Sequence, residues 1–195
     1  MTKPSSMTEL EAVNVLLTTI GEAPVNTLTG NQVTDVAIAK QVLNEVSREV
    51  QSQGWHFNTE INVKLTPDPI YRVNVPPDTA RIDSTDYNVT VRSNKLFDLD
   101  RRTYEFTTAI LVDVVFYLDF AALPDTAKKY ITTRAARIYS DRMLNSETIH
   151  QMLSKDEQRA LIDLKEFEGD IGDYSMMDSY SVARVLNRGH KRILM

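Results

Sequence analysis

Residues 50–58 read VQSQGWHFN, and the rhythm of apolar residues changes inside this stretch. Upstream, Val36, Ala39, Leu43, Val46 and Val50 recur at three- to four-residue spacing, one stripe of a helix. Lys40, Asn44, Ser47, Arg48 and Gln51 fall off that stripe, which predicts a helix packed on one side only. Downstream, Phe57, Thr59, Ile61, Val63 and Leu65 alternate with His56, Asn58, Glu60, Asn62 and Lys64, the period of a half-buried strand. Gly54 marks the break, because a residue without Cβ takes the left-handed conformation that ends helices. Helix gives way to sheet here, so the chain reads as α+β.

Working towards the N-terminus, Thr8 and Glu11 form a capping box, and Leu10, Val13, Leu17 and Ile20 place a helix at about residues 9–20. Gly21 stops it, Pro24 blocks continuation, and residues 26–31 are rich in turn formers. Towards the C-terminus, Tyr71, Val73 and Val75, then Tyr87, Val89 and Val91, then residues 96–99 read as short strands. They are separated by the turn sequences TPDP, VPPD, RSNK and DLDRR. Residues 110–118 are richest in β-branched and aromatic residues and are predicted to be the central strand.

Helical signals resume at Pro124, with Ala127, Tyr130, Ile131, Ala135, Ile138 and Met143 on one side until about Asn145. Ser146 is a cap for a fourth helix through Ile149, Met152 and Leu153, with a second capping box at Ser154 and Glu157 before Ala160, Leu161, Leu164 and Phe167. Gly169 and Gly172 end it. Two helix pairs on either side of a run of strands bury their stripes against each other. The expected organisation is therefore a four-helix bundle from residues 1–54 and 121–169, an inserted antiparallel β module at 55–120 (a sandwich or partly open barrel of five or six strands), and an extended tail at 170–195.

Composition removes whole classes of chemistry. With no cysteine among 195 residues, disulfides, thiolate metal sites and a cysteine nucleophile are excluded. The best apolar run, 109–122, is broken by Asp113 and Asp119, so no membrane span is expected, and the N-terminus lacks a secretory signal, which points to synthesis in a cytoplasm. A net charge of −5 gives no broad footprint for nucleic acid. His56, His150 and His190 have no metal-ligand spacing, and phosphate-loop, dinucleotide and nucleophile-elbow motifs are absent, so no metal and no cofactor is expected. His56 sits on the polar phase of its strand, the place of a solvated histidine.

Carboxylates are the remaining reactive groups. Asp83 with Asp86, and Asp98 with Asp100, could serve as the paired acids of a glycosidase, but all four fall in turn sequences where aspartate bonds nearby amides; Glu105 with Asp98 and Asp100 lacks the glycine and spacing of a calcium loop. Trp55, the single tryptophan, is either a stacking platform or an anchor between bundle and β module, and its position after Gly54 favours an anchor, largely buried. The tail carries Arg184, Arg188, Lys191 and Arg192 interleaved with Val182, Val185, Leu186, Ile193 and Leu194. That mixture suits a protein partner better than a phosphate backbone.

Two stretches carry a resemblance. ELEAVNVLLTTIGEAPVNTL, with Ala12, Asn14, Leu17, Ile20, Gly21, Glu22, Pro24, Val25 and Leu28, is similar to the opening of the adaptor, or gatekeeper, proteins of T-seven-like short-tailed bacteriophages, the tail tubular protein A family. VQSQGWHFN resembles that family's helix-to-strand junction at Gln51, Gly54, Trp55, Phe57 and Asn58, in the same order; EFEGDIGDYSMM is a weaker likeness, and the β module shows little. The matched residues are fold motifs and bring no catalytic residue. The resemblance implies a non-enzymatic virion protein. It would form a ring of twelve between the portal and the tail nozzle, around a channel through which DNA leaves without sequence-specific binding. A fibre or spike is left open as a further partner. The alternative from the residues is a tail-associated glycan-degrading enzyme using carboxylates of the β module.

Overall fold

The computed structural model describes residues 6–29 and 34–172. Along the chain run α1 (Glu9–Thr19), α2 (Thr34–Gln51), a 3-10 turn (His56–Asn58), β1 (Thr59–Leu65), β2 (Thr79–Asp83), β3 (Val89–Arg92), β4 (Lys95–Asp98), β5 (Ile110–Phe116), a second 3-10 turn (Phe120–Ala122), α3 (Asp125–Leu144) and α4 (Glu147–Gly172). The fold is α+β, with four helices and two small antiparallel sheets.

Both ends of α1 follow from its sequence. The Thr8 hydroxyl accepts the Glu11 N–H (3.2 Å) while the Glu11 carboxylate accepts the Thr8 N–H (2.8 Å), a reciprocal capping box. At the far end Gly21 has φ +87°, the Glu22 N–H donates to the Leu17 carbonyl and the Gly21 N–H to the Thr18 carbonyl. This is the Schellman arrangement, which satisfies carbonyls the helix leaves open. Beyond Pro24 the chain turns back, and the Asn14 amide pins it by bonding both the Val25 carbonyl (3.0 Å) and the Val25 N–H (2.8 Å).

The helix α3 is the hub. It packs against α1, α2 and α4, whereas α1 and α4 hardly meet. Its buried residues, Ala127, Lys128, Tyr130, Ile131, Thr132, Ala135, Ala136, Tyr139 and Ser140, lie on several faces. The expected single stripe therefore understates it, and Met143, assigned to that stripe, is 38% exposed. In α2 the stripe is likewise too narrow: Ser47 and Gln51 are buried too. One apolar core joins the helices, with Leu16, Leu17, Leu43, Ile131, Tyr139 and Leu164 among its members.

Between α3 and α4 the contact is partly ionic. Glu157 receives Arg134 (2.8 Å) and Arg137, and Arg134 reaches across to Glu49 of α2 at 2.6 Å. Burial alone would depress the Arg134 guanidinium, but its hydrogen bonds to Glu49 and Glu157 outweigh this and hold it above its ordinary range. Glu157 thus acts as a partner across helices and not as the second capping residue, and α4 runs unbroken through Ser154 and Gly169.

In the larger sheet the strand order is β1-β5-β2, so β5 is central as its composition predicts. Alternation in β1 fails at one point. Glu60 pairs with Val114 and Val63 with Val112, leaving Ile61 and Asn62 opposite Asp113 alone. Asn62 takes φ +59° and its N–H is held by the Asp113 carboxylate at 2.9 Å. This bulge swaps faces: Thr59 shares a face with Val115, Val63 and Leu65 lie on the opposite face with Val112 and Ile110, and Ile61 is 60% exposed. The second sheet is the β3-β4 hairpin, turned by Ser93 and Asn94, both at positive φ, as a two-residue loop requires. Residues 71–75, expected to be a strand, make only isolated bridges, and the strand β2 falls in TARID, where no alternation signals it. The sheets enclose a second core that includes Val73, Ile82, Leu96, Phe106 and Val114.

The capping box gives a pH-dependent test. Hydrogen bonds from the Thr8 backbone and then its hydroxyl hold the Glu11 carboxyl below its ordinary 4.5. Its contribution to folding is therefore complete above 4.5 and lost as pH falls through the lower, folded value. Thr8→Ala should cost about 1 kcal/mol in urea unfolding at neutral pH, and the difference between wild type and Glu11→Gln should shrink as the pH is taken below 4.5.

Candidate functional site

The chain passes from helices to sheet through residues 51–59 and returns through residues 116–125, and two buried carboxamides join these crossings. Gln51, 1% exposed, accepts the Leu118 N–H (2.7 Å) and donates to the Leu118 carbonyl (3.1 Å) and to the Ser47 hydroxyl (3.0 Å). Asn58, 3% exposed, donates to the Gln51 carbonyl (2.9 Å) and the Phe116 carbonyl (2.8 Å) and accepts the Trp55 N–H (2.8 Å). Each amide offers donors and an acceptor on one planar group, so each closes a gap that ladder hydrogen bonds leave open.

Gly54 and Trp55 set the path between them. Gly54 has φ +79°, and a Cβ there would stand 2.9 Å from Arg81 Nη2 and 3.2 Å from Val115 Cγ2. The backbone conformation therefore favours glycine, and a side chain there would also push on Arg81 and Val115. The Trp55 indole N–H donates to the Val50 carbonyl at 2.7 Å, and its ring stacks on Phe57 with centroids 6.4 Å apart. Trp55 packs at the edge of the helical core and is half-buried, less than the anchor reading expects. Arg48 stacks over the Tyr117 ring at 4.4 Å, and the His56 N–H donates to Glu168, so α4 is also tied to this waist.

Elsewhere the sequence candidates are dispersed. His56 lies in the 3-10 turn and not in a strand, His150 meets Asp141 at 2.9 Å on the helical side, and His190 lies outside the described residues. Asp98 is 2% exposed; its carboxylate accepts the Asp100 N–H (2.9 Å) and the Arg101 N–H (3.0 Å), and its backbone bridges to Thr103. It caps a turn where no sugar reaches it. Asp100 holds Asn88, and Asp83 lies 3.6 Å from Arg81. Gly21 and Pro24 shape the reversal after α1, far in sequence from the waist. Arg184, Arg188, Lys191 and Arg192 lie outside the described residues.

Sequence reasoning missed Lys128. It is 2% exposed and bonded to the Ser6 hydroxyl (2.6 Å) and the Ala121 carbonyl (3.0 Å), so it ties the start of the chain to the return crossing. Its neighbours in sequence give no sign of this. Among the described residues no group of three or more His, Asp or Glu is placed to hold a metal ion, and no described helix is long and apolar enough to cross a membrane.

The buried amides of this α+β scaffold bind its helices to its sheets, a structural use of polar groups. The family model of tail tubular proteins matches residues 10–174, and the chain belongs to that family: it is a structural protein of a phage tail. It is similar to tail tubular protein A of Klebsiella phage KP34, with 28% identity over 137 residues, which cover 68% of this chain and 72% of the relative. The family match takes in the waist and the β module together.

If the waist depends on its carboxamides, Asn58→Ala leaves the Gln51 and Phe116 carbonyls and the Trp55 N–H without partners and should cost about 3 kcal/mol. Gln51→Leu, of similar volume but without the Leu118 bonds, should cost about 2 to 4 kcal/mol. Both are read in urea unfolding followed by Trp55 fluorescence, and losses below about 0.5 kcal/mol would show that water replaces the amides without penalty.

Proposed function

We propose that this protein is the adaptor subunit of the tail, twelve copies of which form a ring between the portal and the nozzle, around the channel through which DNA leaves. Membership of the tail tubular family is the observation that carries this reading. Head-to-tail contacts that close at about 30° per copy give such a ring. Twelve copies at −5 each bring roughly −60 charges, which suits a wall that DNA slides past without being held. The ring would be made in the host cytoplasm and reside in the virion. No catalytic step is assigned to it, and the buried, turn-capping Asp98 argues against the glycan-degrading alternative.

In this reading the helices of 1–54 and 121–169, the β module of 55–120 and the tail of 170–195 are separate working parts. The tail, with Arg184, Arg188, Lys191 and Arg192, is the proposed contact with the portal, and the nozzle, with any fibre or spike, binds elsewhere. The helix α4 supports this arrangement by carrying the chain to the waist, where Glu168 meets His56.

Light scattering and negative-stain imaging of the protein with and without portal should give a twelvefold ring in at least one of the two, and a dimer under all conditions would overturn the reading. Deleting residues 174–195 should leave thermal unfolding of the subunit nearly unchanged and weaken its co-purification with portal. An unfolded deletion variant would place the tail in the core, and undiminished portal binding would move the contact to the helices.

A further inference from the structure

We propose that the last two turns of α4, residues 165–172, are an arm that rests on the waist through Glu168, hinges at Gly169 and leaves the waist when the segment beyond it engages the portal; the release rests on the reading above. The arm begins where α4 loses its support. Lys129 with Asp163, Arg134 with Glu157 and Asp141 with His150 set the antiparallel register of α3 and α4, which brings Asp125, the first residue of α3, level with about Glu166. Beyond that point the helix overhangs its neighbour. Leu164 is its last buried side chain among the described residues; Phe167 is half-buried but belongs to neither core, and Ile171 is 47% exposed.

The local sequence opposes a helix here. Gly169 is helical, and a Cβ there would meet nothing within 4 Å. Neither backbone conformation nor packing therefore calls for glycine, although glycine within a helix loosens it relative to alanine. Glu166, Glu168 and Asp170 fall in the turns where the helix dipole favours cations, and the last turn holds no basic residue. A helix end with little burial, a central glycine and like-signed charges keeps its shape through its attachments.

The attachment is Glu168. One carboxylate oxygen accepts the His56 N–H, and the other is buried and bonds to nothing among the described residues. A carboxylate that gives up water at both oxygens and gains a partner at one gives the arm a place but little hold. The amide clamp does not use it: Gln51 and Asn58 bond to α2, Trp55, Phe116 and Leu118. The arm can therefore leave without loosening the joint between helices and sheets.

Gly169 stands between this contact and the segment that follows Gly172. Rotation at glycine redirects the chain beyond it, whereas alanine would keep that chain on the axis of α4. Because resting and released arms differ little in free energy, a portal need bind the released form only slightly better to shift the balance.

The chain has one tryptophan and no cysteine, so the arm can be followed by bimane, which tryptophan quenches at contact distance. Bimane on Ile171→Cys, one turn beyond Glu168, should be quenched by Trp55 in the free subunit. Glu168→Ala should relieve the quenching, and Glu168→Gln, which still offers an oxygen to the His56 N–H, should retain most of it. Gly169→Ala should slow amide exchange of residues 168–171 about two- to fivefold and weaken portal binding by up to the same factor, a loss that accompanies a gain in local order. Portal should relieve the quenching in the otherwise unchanged chain, and deleting residues 174–195 should abolish that relief. Unquenched bimane in the free subunit would overturn the arm. So would a stiffened Gly169→Ala that binds portal as the unsubstituted chain does, and so would equal losses of binding in Gly169→Ala and Glu168→Ala, which mark a direct contact. Portal bound with quenching intact would overturn the release and leave the ring reading standing; no association with portal in any form would end both.

Discussion

Two carboxamides, Gln51 and Asn58, hold the places where the chain enters and leaves the sheets, and the relation between the two halves of the molecule depends on them. A single covalent crossing is a hinge. Two crossings tied to each other through Leu118, Phe116 and the end of α2 make a plate, because rotation about one requires breaking bonds at the other. The amides are buried, so each broken bond exposes a group to a place without water, where the loss is largest. Gly54, at φ +79°, lets the chain turn from α2 towards Trp55 with its backbone beside the Val115 and Arg81 side chains.

A plate needs a rigid side to act on, and α3 supplies it. A helix buried on several faces cannot roll as an amphipathic surface helix can, and Arg134 reinforces it by engaging α2 through Glu49 and α4 through Glu157 at once. The ionic part gives direction more than stability, since buried pairs repay little beyond their desolvation. They fix which turn of α4 lies beside which turn of α3, and apolar contacts of Ala160 and Leu164 supply the attraction. Lys128 works in the same sense, holding Ala121 within the return crossing.

Much of this was legible in the sequence wherever a residue type has one physical use. Thr8 with Glu11, Gly21, Gly54 and Asn145 mark helix ends because capping oxygens and left-handed residues are scarce and specific. The centrality of β5 followed from its β-branched content. What failed were inferences from counting alone. Alternation through Ile61 treats each residue as a fixed step, yet Asn62 in the left-handed region inserts an extra one and exchanges the faces. Tyr71 to Val75 has strand composition, and Val73 and Val75 do bond to Leu96 and Asn94, but Asp68 takes the Tyr71 and Arg72 N–H groups, so the pairing stays at isolated bridges. At the waist, physics picked out Gly54 and Trp55. Gln51 and Asn58 looked like polar positions on a helix and a strand, and only the family resemblance singled them out. A buried amide is recognisable only when its partners, here Leu118 and Phe116, are known to be near, and those lie more than fifty residues away.

A subunit repeated around a closed ring, as proposed for this one, faces an angular constraint that a monomer does not. An error in the angle between its two halves recurs at each contact, and copies that bind through both halves close only if that angle is the same in all. Flexible linkage would spread it, and ordering it on assembly would consume binding free energy. The clamped waist removes the variation before assembly: the amides cost desolvation in each free subunit, and in return the helices and sheets present their surfaces in one fixed relation. That is why the amides of the waist, Gln51 and Asn58, are buried at the joint and not displayed on a surface that a partner could touch.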